Sequence, residues 1–294
     1  MIITQLNGGL GNQMFQYAAG RSLAAHHNTE LKLDISQFSR VKENTPRQYY
    51  LSSFRIKETF TSREDLHRVR TSSSRLNNLY TGVYCALTGK PPVQYKKEPH
   101  FHFDPGFLTL PDNVYLDGYW QSEKYFQSIE NVIKSEFTLK EDPDPPNTLM
   151  SEKILGSNAV SIHIRRGDYV TNPVTFVYHG VCTLEYYHRA INCITQKISD
   201  PHFYIFSDDP LWVKQNLEVN YPHTYVTHNQ DLKDYMDLWL MSLCQHHIIA
   251  NSSFSWWGAW LCSNPGKIVI APKRWFSKPD INTQDLIPES WNKL

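Results

Sequence analysis

The 294-residue chain lacks the cysteine pairs, metal-ligand spacings and charge excess that identify several protein classes. Its five cysteines are widely spaced and include no CxxC pair, which argues against a disulfide framework and a zinc site. The 13 histidines show no HExxH spacing. With 29 basic and 29 acidic residues, the chain has no broad basic field for nucleic acid. Any anion must therefore be bound locally.

The sequence also lacks a membrane-spanning run and a signal peptide. No stretch approaches the ~20 apolar residues that a membrane span needs. Residues 1–6 are followed by polar Asn7, without a basic start or a cleavage site. We therefore expect a cytoplasmic protein, and peripheral contact with the inner membrane stays open. Aromatic residues make up 13% of the chain, which is typical of carbohydrate-handling surfaces and also of large cores.

A glycine-rich turn follows the first predicted strand, Ile2–Leu6. The segment Asn7-Gly8-Gly9-Leu10-Gly11-Asn12-Gln13 leads into a predicted helix, Met14–His27. Such turns bring backbone N–H groups close to ligands, although the glycines could equally serve close packing of strand against helix. The spacing is not GxGxxG, but Asp34 ends the next predicted strand, so a dinucleotide-binding fold is the rival interpretation.

Residues 36–110 are polar, aromatic and interrupted by prolines, and they predict little beyond a helix within 62–79. A strand is predicted over Asn113–Tyr119. Ser122 then caps a predicted helix whose apolar positions follow helical spacing at Phe126, Ile129, Ile133 and Phe137.

The acidic, proline-rich segment 141–146 predicts a stiff exposed linker. We place the domain boundary there, which gives an N-terminal domain over 1–145 and a C-terminal domain over 146–294.

The C-terminal domain alternates strands with helices. Its predicted strands are Ala159–Ile164, Phe203–Phe206, Thr224–Val226, His247–Ala250 and Ile268–Ile270. Its predicted helices are Thr183–Ile198, Leu211–Leu217, Leu232–Leu243 and Phe254–Cys262. This alternation predicts an α/β fold with a doubly wound parallel sheet, in which ligands bind beyond the carboxyl ends of the strands.

Two arginines follow the first of these strands, in His163-Ile164-Arg165-Arg166-Gly167-Asp168-Tyr169. Arginine presents a planar fork of donors that suits phosphate oxygens, and Gly167 allows a tight turn beside a ligand. An exposed Arg–Asp pair at a strand end is the alternative.

A second candidate anion-binding stretch, Asn251-Ser252-Ser253-Phe254-Ser255-Trp256-Trp257-Gly258-Ala259-Trp260, begins where another strand of the same sheet ends. Ser252 and Ser253 occupy the turn and cap of a helix, and a helix N-terminus offers unpaired N–H groups and a partial positive charge. Simple capping by serine is the alternative. Together with the arginines, however, this stretch gives two candidate anion-binding segments at one edge of the sheet.

Three further acids are candidates for binding or capping. Asp237 is flanked by apolar residues in a predicted helix and could accept two hydrogen bonds from guanine, or could instead lie partly exposed on an amphipathic helix. Asp208 and Asp209 end a strand. We interpret them as caps of the following helix rather than metal ligands, because Arg165 and the serines can neutralise a diphosphate.

These motifs, taken together and in order, resemble bacterial α1,2-fucosyltransferases of glycosyltransferase family 11. The stretches that carry the resemblance are 8–17, 118–126, 163–169 and 251–258. The resemblance implies a GT-B type fold with two Rossmann-like domains, the donor GDP-β-L-fucose being bound mainly by the C-terminal one. It also implies inverting, metal-independent transfer of fucose to the 2-hydroxyl of a terminal galactose, with no cofactor.

By the same resemblance, Arg165 holds the β-phosphate, His163 approaches the nucleotide and Asp237 binds guanine. Asn12, with Gly11, reaches the diphosphate or fucose from the other domain. The remaining assignments are Ser252, Ser253 and Phe254 for the donor, Asp34, Tyr119 and Glu123 for the acceptor, and Arg165, His163 and Asp168 for catalysis. The base is left open among Asp34, Asp117, Glu123 and Asp168. The position of Arg166 differs in some relatives, so the resemblance assigns it no role.

Two other classes of protein remain alternatives. An NAD-dependent sugar-nucleotide oxidoreductase would explain the glycine turn but would leave both anion-binding stretches without a role. A non-catalytic glycan-binding protein would explain the aromatic residues but needs no second phosphate-binding segment. For a transferase, the galactose-terminated acceptor could be lactose, Galβ1-3GlcNAc, Galβ1-3GalNAc or a lipid-linked O-antigen unit, and residues 36–110 are expected to select it.

Overall fold

The computed structural model describes residues 1–39, 47–70, 75–229 and 233–294. The chain forms two compact units. The first contains Met1–Lys140 and Gln284–Leu286, and the second contains Glu141–Thr283 and Ile287–Leu294. In the described part of the chain, no helix is both long enough and apolar enough to cross a membrane.

The first unit is built on a parallel sheet. Its strands are β1 (Ile2–Gln5), β2 (Leu31–Asp34), β3 (Val69–Arg70), β4 (Val93–Lys97) and β5 (Val114–Asp117). Its helices are α1 (Leu10–His26), α2 (Arg63–His67), α3 (Arg75–Thr88) and α4 (Glu130–Glu136). The strand order in the described residues is β2-β1-β5-β4-β3, and every pair is parallel.

Helix α1 starts earlier than the predicted Met14. Gly9 is the N-cap, so Leu10 and Gly11 are already helical. Gly8 has φ +72°, in the left-handed region that favours glycine. A Cβ on Gly8 would lie only 2.7 Å from the Asn12 Nδ2 atom, so the turn also needs the absence of a side chain there.

Two other predictions for the first unit were wrong. Instead of one helix within 62–79, the chain forms α2 and α3 with β3 between them, and residues 71–74 lie outside the described part. Ser122 does cap a helical turn, but that turn is a 3₁₀ helix over Glu123–Tyr125, and the α-helix begins only at Glu130. Periodicity of apolar residues does not distinguish successive 3₁₀ turns from the first turn of an α-helix.

The second unit contains a longer parallel sheet. Its strands are β6 (Asn158–Ile164), β7 (Pro201–Ser207), β8 (His223–Val226), β9 (His246–Ile248), β10 (Val269–Ala271) and β11 (Asn292–Lys293). Its helices are α5 (Pro145–Leu155), α6 (Gly167–Thr171), α7 (Pro173–His179), α8 (Leu184–Thr195), α9 (Pro210–Asn216), α10 (Asp234–Leu243) and α11 (Ser253–Leu261). The order among the described residues is β11-β10-β9-β6-β7-β8, all parallel.

Alternate residues of β6 and β7 enter two separate cores of the second unit. Val160 and Ile205 belong to the core with helices α8 and α9. Ala159 and Tyr204 belong to the core with α5 and α10. Because side chains alternate across a strand, these two cores lie on opposite faces of the sheet, and the predicted doubly wound arrangement is confirmed.

The predicted linker over 141–146 was wrong at its end: residues 141–144 lie outside helices and strands, but Pro145 and Pro146 are helical. Asp144 is the N-cap of α5 and accepts a hydrogen bond from the Asn147 N–H group at 3.2 Å. Pro145 and Pro146 occupy the first turn of this helix, where the missing N–H group of proline has no intrahelical partner to lose. The two units divide between Lys140 and Glu141, before the predicted boundary at 145/146. Leu232, the predicted start of α10, lies outside the described residues.

Candidate functional site

The strand order of the second unit creates a crevice at the carboxyl end of β6. From β6 the chain continues to β7 and β8 on one side, and it then returns to β9 on the other side. Ile162 of β6 pairs with Ile248 of β9, so the loops after these two strands leave the sheet next to each other. Such a switch point is where parallel α/β sheets bind ligands.

Arg165 follows β6 and lies between two carboxylates. Its Nη2 atom donates to Asp168 Oδ1 at 2.6 Å, and its Nη1 atom is 3.0 Å from Asp208 Oδ2. Its guanidinium carbon lies 5.5 Å from the centre of the Tyr169 ring. Burial disfavours the charged form, but the two carboxylates outweigh this effect and raise the pKa of Arg165. The sequence therefore places a permanently charged and oriented guanidinium at the switch point.

Asp208 fixes the backbone of this turn. One of its oxygens accepts the Arg166 N–H group at 2.8 Å, and a Cβ on Gly167 would lie 2.5 Å from the other. Gly167 is therefore required by the close approach of the carboxylate. The prediction that Asp208 caps the next helix was wrong, but Asp209 does cap α9, since it accepts the Trp212 N–H group at 3.3 Å.

Arg166 is held on the other side of the strand end. Its Nε atom donates to Asp209 at 3.1 Å, and its guanidinium carbon lies 3.5 Å from the centre of the Trp212 ring. This pairing anchors the α9 end of the turn, and it distinguishes Arg166 from Arg165, whose cation faces Tyr169.

His163 is a buried residue at the end of β6. Burial, and secondarily the Arg165 cation, lower the pKa of His163 to about 3, so the imidazole is neutral at pH 7. Its Nδ1 atom has no hydrogen-bond partner among the described residues, and its ring lies 5.5 Å from that of Phe254. A neutral imidazole with one vacant nitrogen can bind a ligand group but cannot supply positive charge.

The N-terminus of α11 forms the opposite wall of the crevice. Ser252 is its N-cap residue, as predicted, but in the described residues its side chain makes no capping hydrogen bond. The Ser252 side chain therefore accepts no hydrogen bond from the N–H groups of Phe254 and Ser255, which a capping serine would bind. This arrangement weakens the interpretation of Ser252 as a simple cap.

Asn251, which the sequence analysis did not assign, ties together the loops around this crevice. Its buried Nδ2 group donates to the carbonyl oxygens of His179 at 3.0 Å and Trp275 at 3.1 Å. Its backbone carbonyl oxygen accepts a hydrogen bond from the Tyr169 hydroxyl at 3.3 Å. The asparagine before two serines was the sequence signal that could have indicated this role.

Asp237 lies in the first turn of α10 and accepts a hydrogen bond from Asn229 at 2.7 Å. Burial raises the pKa of Asp237 to about 7, although Asn229 opposes the shift. The carboxylate is thus partly protonated at neutral pH and gains from any ligand that donates hydrogen bonds to it. Because α10 follows β8, the helix that carries Asp237 also begins at the carboxyl edge of the sheet.

The glycine-rich turn lies at the carboxyl edge of the first unit. Asn12 Oδ1 accepts a hydrogen bond from Gln121 at 2.8 Å. Gln16 accepts the Asn7 N–H group at 2.9 Å and donates to the Gly118 carbonyl at 3.1 Å. The amide side chains of α1 therefore join the turn after β1 to the loop after β5. Gly11 is buried within α1 beside this network.

The predicted acceptor residues fall at different places in the first unit. Asp34, at the end of β2, is buried and accepts the Tyr115 hydroxyl at 2.7 Å and the Ser36 N–H group at 2.9 Å. Asp117, at the end of β5, accepts the Tyr95 hydroxyl. Glu123 begins a 3₁₀ helix after the same loop, and Tyr119 within that loop exposes its ring.

Glu98 was missed, and it organises the loop that carries Tyr119. It follows β4 and accepts the N–H groups of Tyr119 at 2.7 Å and Trp120 at 3.0 Å. Burial raises the pKa of Glu98 to about 7. Trp120 has φ +55°, which is uncommon for a bulky side chain and typical of strained turns at functional sites. No motif in the sequence links Glu98 to this loop.

Comparison with known proteins gives matches over the whole chain. The family described as Glycosyl transferase family 11 matches residues 1–294. An Escherichia coli alpha-1,2-colitosyltransferase is 33% identical and covers 100% of this chain and 99% of its own length. The Escherichia coli O-antigen biosynthesis glycosyltransferase WbnK is 35% identical, with 98% and 99% covered. The galactoside 2-alpha-L-fucosyltransferase SEC1 of Bos taurus is 28% identical over 50% of this chain and 42% of its own.

Among solved structures, the fucosyltransferase NodZ from Bradyrhizobium superposes with a TM-score of 0.51 at 12% identity. The match covers 90% of this chain and 96% of that one. At this identity the likeness bears on the fold only. Together with the two parallel sheets, it confirms the predicted GT-B type fold of two Rossmann-like domains.

Proposed function

Because the chain belongs to glycosyl transferase family 11, we propose that it transfers L-fucose from GDP-β-L-fucose to the 2-hydroxyl of a terminal β-galactose. The product is an α1,2 linkage formed with inversion. The linkage draws support from two relatives, an alpha-1,2-colitosyltransferase and a galactoside 2-alpha-L-fucosyltransferase.

One observation carries the proposal. Arg165 and the N-terminus of α11 lie at the two neighbouring strand ends of a switch point in the second unit. A guanidinium has five N–H donors, and Asp168 and Asp208 each accept from a different terminal nitrogen. Donors therefore remain for a diphosphate, while the two carboxylates orient the fork.

The chemical step follows from the charge distribution. The oxygen of the galactose 2-hydroxyl bonds to C1 of fucose while the bond from C1 to the β-phosphate oxygen breaks, and the electron pair leaves with GDP. Negative charge then grows on the diphosphate, where Arg165 and the first-turn N–H groups of α11 stabilise it. We assign this step no metal ion and no cofactor. The hydroxyl proton passes to a base, for which Asp34, Asp117, Glu123 and Asp168 stay candidates.

Asp237 and His163 complete the proposed donor site. Guanine presents two adjacent N–H donors, and a carboxylate accepts both, so binding favours ionised Asp237 over its protonated form. Neutral His163 offers its vacant Nδ1 atom to a hydroxyl or N–H donor of the nucleotide. Ser252, Ser253 and Phe254 border the diphosphate and sugar.

The decisive experiment is incubation with GDP-fucose and a galactoside in EDTA, with the product linkage read by NMR. Lactose, Galβ1-3GlcNAc and Galβ1-3GalNAc serve as parallel acceptors. An α1,2-fucosylated product with undiminished rate in EDTA is expected. Transfer to another hydroxyl, or a β linkage, would contradict the proposed reaction. Activity lost in EDTA and restored by Mn²⁺ would contradict metal independence only.

A second donor is favoured by a specific observation, the full-length match to an alpha-1,2-colitosyltransferase. Colitose is fucose without its 3-hydroxyl. A site that hydrogen-bonds that hydroxyl rejects the deoxy analogue by ~10⁴-fold or more, because the buried partners would be left unpaired. The ratio of kcat/KM for GDP-fucose and GDP-colitose therefore decides between them. A strong preference for GDP-colitose would replace fucose with colitose in the proposal and leave the rest of the site unchanged.

A further inference from the structure

Helix α3 of the first unit presents its apolar side chains to solvent. Five large apolar residues on it are between 52% and 83% exposed: Leu76, Leu79, Tyr80, Val83 and Leu87. Their spacing of three or four residues places them on one side of the helix. We call these five residues the α3 stripe. An exposed, contiguous apolar surface of this kind marks an interaction site in a folded protein.

The opposite side of α3 faces the protein. Thr81 and Cys85 are buried there, and the ring of Tyr84 lies 5.9 Å from that of His67. The helix is therefore fixed to the unit by small and aromatic residues, with its most apolar side chains pointing outward. This orientation is the reverse of what burial in the core would produce.

The sequence around α3 is basic and contains no acid. Between Leu66 and Lys97 there is no Asp or Glu, and the Lys and Arg residues in this stretch are Arg68, Arg70, Arg75, Lys90, Lys96 and Lys97. Acids from outside the stretch pair with some of them, as Glu64 does with Lys90 and Asp104 with Lys96. Arg70, Arg75 and Lys97 are exposed. The chain as a whole is neutral, so this is a local excess of positive charge.

We propose that the α3 stripe and its flanking basic residues dock on the surface of an anionic lipid bilayer. An apolar helix side bordered by Arg and Lys, with no acid on the helix itself, matches a membrane interface in which acyl chains lie beneath anionic headgroups. At 14 residues the helix is about 21 Å long, shorter than the hydrocarbon core, so it lies along the interface. The proposal does not depend on the identity of the donor or acceptor.

The charges favour a bilayer over a second copy of the chain. In a two-fold pairing of α3 helices, the surfaces that meet are the same on both copies. An antiparallel contact would place Arg75, at the start of one helix, beside Lys90, just after the end of the other. Glu64 pairs with Lys90 within its own copy, but the stretch between Leu66 and Lys97 offers no acid to the incoming Arg75.

Vesicle flotation of the full chain, without any substrate, tests the proposal. Vesicles of phosphatidylcholine alone are compared with vesicles containing about one-third phosphatidylglycerol, at low and at high salt. We expect binding to the anionic vesicles, weaker binding at high salt, and little binding to phosphatidylcholine alone. The double variant Leu79→Gln with Leu87→Gln should lower the partition coefficient at least ~10-fold.

Helix α5 of the second unit supplies a matched control. Leu149 and Leu155 are 60% and 64% exposed there, against 67% and 83% for Leu79 and Leu87. The variant Leu149→Gln with Leu155→Gln makes the same chemical change on another surface, and it should bind vesicles as the unmodified chain does. Thermal unfolding of both variants checks that neither change disrupts the fold.

Three results would overturn the proposal. They are failure of the unmodified chain to bind anionic vesicles, equal loss in both double variants, and a dimer that the α3 variant dissociates while vesicle binding is unaffected. The last result would assign the α3 stripe to a second copy of the chain.

Discussion

At the scale of single residues, Arg165 combines a fixed positive charge with N–H donors that remain for a ligand. Asp168 lies three residues away on the same turn, whereas Asp208 comes from the end of β7. Two carboxylates around one guanidinium keep it charged and restrict its rotation, so little reorganisation is needed when a diphosphate arrives. A single side chain stabilises a transition state most when it is already held in the required orientation before the substrate binds.

Replacement of Arg165 by lysine separates charge from geometry. Arg165→Lys keeps a cation between Asp168 and Asp208 but loses the planar fork, so we expect kcat/KM to fall by ~10²-fold or more. The melting temperature should change by only a few degrees, because the carboxylates stay compensated. Steady-state kinetics and thermal unfolding measure the two effects.

The control is Arg189→Lys, at an exposed position on α8, which should leave both quantities unchanged. If Arg165→Lys kept half of the activity, the assignment of Arg165 to the leaving group would be wrong.

Asp237 makes donor binding depend on pH. Its pKa of about 7 means that the ionised form, which accepts both guanine donors, is fully present above pH 7 and is lost as the pH falls through 7. GDP affinity should therefore decline by up to ~10-fold per pH unit below 7. Asp237→Asn should weaken GDP binding and abolish this dependence. Calorimetry at about pH 5.5, 7 and 8.5, which are spaced evenly around the pKa, measures both effects.

The same substitution should stabilise the fold at high pH. The pKa of Asp237 is raised above its ordinary value of 3.8, so ionisation costs folding free energy above pH 7, and this cost fades as the pH falls from 7 towards 4. Asparagine avoids the cost and still accepts from Asn229. An Asp237→Asn protein that bound GDP normally would contradict the guanine-binding role, and one that lost stability at about pH 8 would contradict the folding cost of ionisation.

At the scale of elements, the loop after β5 is shaped by a residue from the neighbouring strand. Glu98 accepts two consecutive N–H groups, and a Cβ on Gly118 would lie 2.8 Å from its Oε2 atom. Trp120 packs its buried ring 5.1 Å from Phe107 while its backbone stays left-handed. The strand ends, the carboxylate and the aromatic core together fix the orientation in which Tyr119 reaches solvent.

Glu98→Gln should loosen this loop. The amide has one oxygen for two N–H donors, so one hydrogen bond is replaced by a contact between two donors. If Tyr119 binds the acceptor, KM for the galactoside should rise ~10-fold while the Kd for GDP is unchanged. A loss of kcat with unchanged KM would instead indicate a role for Glu98 in the chemical step.

The pH profile of the unmodified enzyme provides a second readout for Glu98. Its pKa is raised to about 7 mainly by burial, with the Tyr119 and Trp120 N–H groups and His100 opposing the shift and Asp117 adding to it. The carboxylate that holds the loop is thus present above pH 7 and is lost below it. Acceptor KM should rise on acidification, and Glu98→Gln should remove that rise.

At the scale of the whole molecule, the two units carry different parts of the proposed reaction. The second unit contains the arginine turn, Asp237 and the α11 terminus, and the first contains the glycine turn and the loop after β5. Each set lies at the carboxyl end of a parallel sheet, where strands end and helices begin. In the proposed reaction, each unit therefore contributes groups from the strand ends of its own sheet.

Hydrogen exchange should resolve the two recognition sites. GDP is expected to protect the segment after β6 and the first turns of α10 and α11, whereas a galactoside should protect the loop after β5. ADP serves as the control, since it offers the same diphosphate without the guanine donors, and it should protect the phosphate edge but not α10. Protection by GDP confined to the first unit would contradict the assignment of the donor site.

The sequence by itself determined the alternation of the second unit and located its two candidate anion-binding stretches. Runs of buried apolar residues and the caps at Thr183 and Ser252 are local signals, and the structure follows them to within a few residues. Short strands such as β3 and β11 were missed because two residues carry no periodicity. Pro145 was misinterpreted because a proline at the start of a helix resembles a helix breaker in sequence.

Only the tertiary structure decided which groups complete each site. Asp208 reaches Arg165, and Glu98 reaches the loop after β5, because strand order places the ends of β7 and β4 beside those of β6 and β5. Strand order is chosen by packing over the whole sheet, through contacts between residues far apart in the chain. Local patterns therefore located the charged fork at Arg165, while long-range packing supplied the carboxylates that orient it.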